Sequence, residues 1–213
     1  MAAINYTDPD ADVPSPIDLR REEDARAWVE QADKDRPWRS VLRLRFAELI
    51  RALPAGVNVL ELGSGPGLLA ECILERCSNV TSYTLFDFSA PMLSMSRARL
   101  QKFECARFVD GDFKSANWAN ALQPPYSAVV AMQSVHEIRH KRHVPGLYRE
   151  VRQLLAPGGM LMVCDGVPRD TSLRWTSLCM TPEEQFAAFA GAGFTDIALD
   201  CAIEQKVLVT GKV

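Results

Sequence analysis

No stretch of this chain approaches the roughly eighteen consecutive apolar residues of a membrane-crossing helix, and no apolar segment follows Met1. These absences predict a cytoplasmic protein with no membrane partner and no secretion signal, in which the sequon Asn5-Tyr6-Thr7 goes unused. The cysteines (Cys72, Cys77, Cys105, Cys164, Cys179 and Cys201) include no C-x-x-C pair and no histidine partner at zinc-site spacing. Reduced thiols and no metal site are therefore expected, with Cys72 and Cys164 acting as small hydrophobes. A large excess of either charge sign is also lacking. A net charge of −3 argues against a nucleic-acid partner held by a broad basic surface. The one basic run, Arg139-His140-Lys141-Arg142-His143, reads as a solvated face at the start of a helix.

What is present suits one globular domain spanning 1–213: 213 residues, 47% of them hydrophobic and 24% charged, enough for a large core. Residues 1–20 are rich in Pro, Asp and Ala and are too polar to order without a partner or a lid role. Two helices follow, the second marked by the apolar stripe Leu42, Phe46, Leu49, Ile50 and Leu53, so residues 1–54 form a helical cap ahead of a core at 55–213. A second stripe runs through Leu147, Tyr148, Val151, Leu154 and Leu155. Thr181-Pro182-Glu183-Glu184 has the spacing of a capping box, with Phe186, Phe189 and Ala190 as the buried face of its helix and Gly191 and Gly193 as its end. Apolar strands alternate with these helices. The expected fold is α/β: a single doubly wound Rossmann-like sheet, mostly parallel, with helices on both faces and ligands at the carboxyl ends of the strands.

The most informative segment is Val57-Asn58-Val59-Leu60-Glu61-Leu62-Gly63-Ser64-Gly65-Pro66-Gly67-Leu68-Leu69. An apolar strand runs into glycines at alternate positions and then into a helix, a turn whose backbone a ligand can approach closely and whose helix offers unpaired N–H groups. A dinucleotide fingerprint needs glycine at 68, where this chain has Leu68. Glu61 would repel a phosphate and suits a ligand carrying an ammonium. Further on, the apolar run Tyr83-Thr84-Leu85-Phe86 ends in Asp87-Phe88-Ser89, and an acid at the end of a second strand can accept both ribose hydroxyls. Its plainer alternative is a helix cap, a role that Ser89 before Ala90-Pro91 already fills.

The motif Glu61-Leu62-Gly63-Ser64-Gly65-Pro66-Gly67 resembles the first motif of class I S-adenosylmethionine-dependent methyltransferases, small-molecule type. Asp87, the turn Asp110-Gly111-Asp112-Phe113, the fourth strand Ala128-Val129-Val130-Ala131-Met132 with Gln133 after it, and Leu154 through Asp165 around Pro157-Gly158-Gly159 fall in the order of that family's landmarks. The resemblance implies S-adenosylmethionine as cofactor and a closing antiparallel hairpin in Phe194 to Val213. It also implies a cofactor site of Glu61, Gly63, Ser64, Gly65, Gly67, Asp87, Phe88, Asp112, Phe113, Met132 and Gln133. Asp112 would accept the adenine amino group, with Phe88 or Phe113 flanking the ring. The chain departs from the family in having Tyr126-Ser127 where an acid usually follows the aromatic, and His136-Glu137 where paired histidines are common.

The implied chemistry is in-line methyl transfer to an oxygen or nitrogen of a small-molecule acceptor. A hydroxyl or ammonium acceptor must lose a proton, and His136 is the candidate to take it, since it follows the fourth strand and imidazole titrates near neutral pH. The alternative for His136 is a plain hydrogen bond at a helix start. Trp28, Trp38, Arg174 and Trp175 lie in the segments expected to carry acceptor specificity and could line its pocket or simply cover the core. Two other classes stay open: a catalytically inactive scaffold that binds S-adenosylmethionine, and a nicotinamide-dependent oxidoreductase. The oxidoreductase is disfavoured by Leu68 and by Arg152 at the lysine position of a Tyr-x-x-x-Lys pair beginning at Tyr148.

Overall fold

The computed structural model describes residues 6–32, 34 and 36–213. Asn5 of the sequon lies outside them. In chain order the elements are α1 (Glu22–Ala32), α2 (Trp38–Arg51), β1 (Val57–Leu62), α3 (Leu68–Arg76), β2 (Val80–Asp87), α4 (Ala90–Leu100) and β3 (Ala106–Asp110). The second half holds β4 (Tyr126–Met132), α5 (Val144–Leu154), β5 (Leu155–Gly166), α6 (Leu173–Leu178), α7 (Pro182–Gly191), β6 (Thr195–Ile203) and β7 (Lys206–Lys212).

The strands form one seven-stranded sheet in the order β3-β2-β1-β4-β5-β7-β6. β1 to β5 pair in parallel, and β7 runs antiparallel to both of its neighbours. The doubly wound sheet and its closing hairpin are thus as expected. Strand alternation divides the interior in two. Val57 and Val59 of β1 and Ala128 and Val130 of β4 face α2 and α3. Leu60, Leu62, Val129 and Ala131 face α5 and α7 on the opposite side. The Pro157-Gly158-Gly159 turn is absorbed into β5 as an irregularity. Tyr126 pairs with Leu155 but Ala128 pairs with Met160, and Gly158 takes φ +75° to accommodate the extra residues. Among the described residues no helix is long and apolar enough to cross a membrane.

Two expectations are corrected, the buried face of α7 and the role of the basic run. The Thr181 capping box is present, with Thr181 Oγ1 accepting from Glu184 N and Glu184 accepting from Thr181 N, but α7 buries Gln185, Ala188 and Phe189. Phe186 and Ala190 are exposed. The helix is rotated because Gln185 Oε1 accepts the hydroxyl hydrogen of buried Tyr148 at 2.7 Å, which satisfies a phenol that would otherwise be stranded in the core.

The polar N-terminal segment, expected to need a partner or a lid role to order, has partners elsewhere in the chain over its described part. Residues 6–21 cross the carboxyl ends of the strands as a strap. The basic run is not a solvated face, because it clasps that strap. Arg139, buried and at φ +73°, donates through Nε to Val13 O at 2.7 Å and through Nη2 to Pro14 O at 2.8 Å, while its own carbonyl accepts from Val13 N at 2.8 Å. His140 Nε2 meets Pro9 O at 2.9 Å, Arg142 bonds Asp10 O and Asp12, and His143 pairs with Asp12. The net charge gave no hint of this use, since the strap's acids and the run's bases cancel.

Two outcomes follow from this packing. Phe189 is fully buried with its ring 4.9 Å from Tyr148 and 5.3 Å from Phe194, so Phe189→Ala should lower unfolding free energy by about 3–5 kcal/mol in urea titrations. Arg139→Ala should leave the sheet amides protected but speed hydrogen exchange at Val13. Unchanged exchange there would show that Arg139 does not hold the strap.

Candidate functional site

The strap roofs a cavity of about 990 Å³ at the carboxyl ends of β1, β2, β4 and β5, at the upper end of the roughly 300–1,000 Å³ typical of ligand pockets. Its floor is the glycine turn after β1. Gly63 (φ +66°) leaves no room for a side chain, because a Cβ there would stand 2.4 Å from Ser134 Cβ. Gly63 N and Ser64 N donate to Phe86 O at 2.8 and 3.2 Å. Gly65 (φ +55°) instead faces open space. Gly67 (φ +81°) begins α3 without a side-chain cap, leaving first-turn N–H groups available.

Two acids stand beside this turn. Glu61 is only 2% exposed, and its carboxylate accepts the Tyr83 hydroxyl at 2.8 Å. Burial, opposed by that hydrogen bond and reinforced by Asp87, pushes its pKa up to about 8. Asp87 accepts from Gly65 N at 2.7 Å through one oxygen and from Ser89 N at 2.9 Å through the other. Burial raises its pKa to about 6 against these bonds. Asp87 therefore braces the glycine turn and the entry to α4 at once, with one lone pair on each oxygen left for a ligand hydroxyl. Ser89 caps α4 by accepting from Met92 N, as expected, and also donates to Leu19 O of the strap.

Phe88, Phe113, Met132 and Gln133 all line the cavity, the last at φ +58° with its N–H on Cys164 O. Asp112 does not line it. One Asp112 oxygen lies 3.2 Å from Arg20 Nη2 and 3.8 Å from Lys114 Nζ, and the other accepts from Lys114 N. The Arg20 guanidinium also covers the Phe88 ring at 4.6 Å. Trp28, Trp38, Arg174 and Trp175 line the same cavity, so the structure brings these candidates together with the glycine turn.

His136 sits in the 3-10 turn after β4 with its side chain 25% exposed. Its Nδ1 lies 2.7 Å from Asp165 Oδ1, its backbone N–H donates to Asp165 Oδ2 at 2.9 Å, and its Nε2 lies 3.3 Å from Glu137 Oε1. Burial works against charge on the ring, but the Asp165 carboxylate and Glu137 outweigh it and raise the imidazole pKa to about 10. Glu137, which burial would raise, is held down at about 2 by His136 and by Arg139 at 3.0 Å. Asp165 was not among the candidates from sequence, although an acid ending a buried strand is the signal that singled out Asp87. The basic run that begins at Arg139 gave no sign of a role at the site, and no alternation or motif marked Lys206; both side chains matter only once the strap and the hairpin are in place.

Tyr148 is buried, bonded to Gln185 and absent from the cavity wall, so the oxidoreductase reading has no catalytic tyrosine. The cysteines are free, and burial pushes the Cys164 thiol far above its ordinary range. Among the described residues no cluster of histidine, cysteine and acids is placed to hold a metal ion.

Residues 59–159 match the family described as Methyltransferase domain. The chain is 32% identical over 145 residues to a ubiquinone biosynthesis O-methyltransferase of Xanthomonas campestris pv. campestris, covering 65% of this chain and 56% of that protein. It is 22% identical over 157 residues to a non-reducing polyketide synthase of Aspergillus terreus, covering 69% of this chain and 6% of the synthase. The chain therefore spans about half, or far less, of the curated relatives it matches. Among solved structures, human N-acetylserotonin methyltransferase in complex with S-adenosylmethionine superposes with a TM-score of 0.70 at 17% identity, covering 91% of this chain and 57% of that one. Residues 59–159 thus match a methyltransferase family, and the fold is that of a methyltransferase solved with S-adenosylmethionine, which supports this molecule as the cofactor.

Proposed function

We propose that this domain transfers a methyl group from S-adenosylmethionine to an oxygen or nitrogen of a small-molecule acceptor. The observation that carries the reading is the His136–Asp165 pair, which opens on the same roofed cavity as Glu61 and Gly65. The residues present fit the cofactor on their own chemistry. Glu61 is a buried carboxyl with no cationic partner among the described residues, suited to an ammonium. Ser64 Oγ is buried on the cavity wall with no hydrogen-bond partner. Gly65 offers a Cβ-free surface, and Asp87 has lone pairs to spare for ribose hydroxyls. Phe88 and Phe113 would flank the adenine. Asp112 would meet its amino group only where Arg20 gives way.

When bound, S-adenosylmethionine supplies a sulfonium methyl carbon open to in-line displacement. This chain contributes the rest. The strap excludes water, the cavity aligns the acceptor, and the neutral His136 imidazole takes the acceptor's proton on Nε2 once Glu137 yields that nitrogen. Asp165 fixes the tautomer through Nδ1 and stabilises the imidazolium that forms. The enclosed cavity and the short segments around it suit a small acceptor over a protein or nucleic acid. The domain is taken to span 1–213, with residues before 55 acting as lid.

Calorimetric titration with S-adenosylmethionine and S-adenosylhomocysteine, followed by an assay of S-adenosylhomocysteine release over phenols, carboxylic acids and amines, tests this reading. Binding without release for any class would favour the inactive scaffold instead. Affinity should depend on pH in a set direction. Below about 8 Glu61 is protonated in the free protein, so a ligand ammonium must expel that proton. Binding should therefore weaken by up to about tenfold per unit as pH falls from 8 toward 6. Glu61→Gln should flatten this limb, and an unchanged limb would remove Glu61 from the ammonium site.

For a hydroxyl acceptor, kcat/KM should rise with pH toward about 10 as His136 loses its proton. Asp165→Asn removes the charge that raises this pKa and should move the limb down toward the ordinary histidine value near 6.5. His136→Gln should cost about 10²–10⁴-fold in turnover while leaving cofactor affinity intact. Unaltered turnover would mean that His136 is only structural.

A further inference from the structure

The cavity has a second wall that proton transfer and cofactor binding do not use. Lys206, the first residue of β7, is only 8% exposed, yet among the described residues its ammonium makes a single hydrogen bond, to Gln205 O at 3.2 Å. Among the described residues no carboxylate lies within ion-pair distance of it. The ammonium stands 5.1 Å from the Trp38 ring and 3.9 Å from where a Cβ on Gly166 would be. Burial and the nearby Arg169 charge hold its pKa below the usual lysine range.

Arg169, likewise without an ion pair among the described residues, lies 4.6 Å over the Trp175 ring, and Arg174 lies 5.6 Å over the same ring with its Nε buried and unpartnered. Among the described residues the acids lining this side are Asp165, whose oxygens are already taken by His136 and by the backbone N–H of His136 and Gly166, and exposed Glu204; exposed Asp170, next to Arg169 in the chain, feels its charge but does not line the cavity. A buried ammonium without counter-charge, as at Lys206, is costly unless a ligand supplies the anion, and exposed Arg169 adds its charge at the rim.

We propose that this wall is an anion site for the acceptor, and that the acceptor is a planar aromatic acid whose ring packs on Trp38 or Trp175 and whose carboxylate is held by Lys206 and Arg169. The inference rests on the methyl-transfer reading for its term "acceptor". Sheet order separates this site from the donor's own carboxylate. The glycine turn follows β1, whereas Lys206 begins β7, three strands away, or about 14 Å at the usual strand spacing. Asp165 links the site to the proton-accepting group, because Gly166 directly follows Asp165 and pairs with Lys206 across the β5–β7 ladder. A hydroxyl on the ring can therefore face His136 while the acid at the other end meets Lys206.

The test uses the full chain saturated with S-adenosylhomocysteine and titrated with ortho-, meta- and para-hydroxybenzoate and with the matching hydroxybenzamides, which keep the ring and shape and remove the charge. Calorimetry and tryptophan fluorescence report binding. At least one acid should bind about tenfold or more tighter than its amide. Lys206→Met should bring the two close to parity with the Kd for S-adenosylhomocysteine unchanged. Arg169→Gln, at an exposed side chain whose replacement does not threaten folding, should lose part of the same preference. Equal binding of acids and amides, or no binding of any acid, would overturn the proposal. So would a Lys206→Met variant that loses S-adenosylhomocysteine as steeply as the acid, since the cation would then serve the donor. Failure of the wild type to bind S-adenosylhomocysteine would count against the cofactor reading instead, with the acid-over-amide comparison still made on the free protein.

Discussion

Three carboxyl groups at the carboxyl ends of parallel strands, Glu61 on β1, Asp87 on β2 and Asp165 on β5, are all but inaccessible to solvent, and the site is organised around what each is given in place of water. A buried carboxylate without donors is costly. Asp87 receives two backbone N–H groups and rises only to about 6, whereas Glu61 receives one phenol and rises to about 8. Asp165 receives two backbone N–H groups and an imidazole. The acid with the fewest donors is the one best placed to gain from a cationic ligand. The sign of the linkage agrees: a folded-state pKa near 8 against an unfolded value near 4.5 means that the free fold holds an extra proton. Its stability therefore falls as pH climbs through that window, and a bound cation offsets the loss.

The acids could not be kept dry by the sheet alone, because the carboxyl edge of a parallel sheet is open. The strap closes it. Its contacts run to side chains and carbonyls that also belong to the site: Ser89, which caps α4 beside Asp87, and Arg139, whose remaining nitrogen holds Glu137 against His136. Closure and the electrostatics of His136 are therefore coupled through one guanidinium. Loosening the strap would expose Glu137 and weaken its pull on the imidazole, so an open cavity is also one with a less basic histidine.

Much of this was legible in the chain. The glycine turn, the strand-end acids and the alternation of strands with amphipathic helices are local patterns, and each maps onto a local cause: positive φ at Gly63, Gly65 and Gly67, backbone donors around Asp87, the buried stripe of α5. What failed to show depends on distant partners. Phe186 and Phe189 are indistinguishable by composition, and only Tyr148, which needed Gln185, decided which face of α7 turned inward. Asp112 matched a motif position, but Arg20, remote in sequence, drew it out of the cavity wall. The polar strap needed a partner to order, and which one could not be read because Arg139 to His143 are more than a hundred residues away.

The sheet order also explains why the cavity has two electrical poles. Because β1 and β2 lie on one side of β4, and β5 and β7 on the other, Asp87 and Glu61, which becomes charged when a cation displaces its proton, stand toward one end and Lys206 with Arg169 toward the other. In a water-poor cavity these fields are screened little, so a cationic donor and an anionic acceptor would each be drawn to its own half and repelled from the other. On the proposed methyl-transfer reading, charge would orient the two ligands before any side chain closes on them. His136 and Asp165, on the turn after β4 and at the end of β5, stand at the boundary where the two must meet.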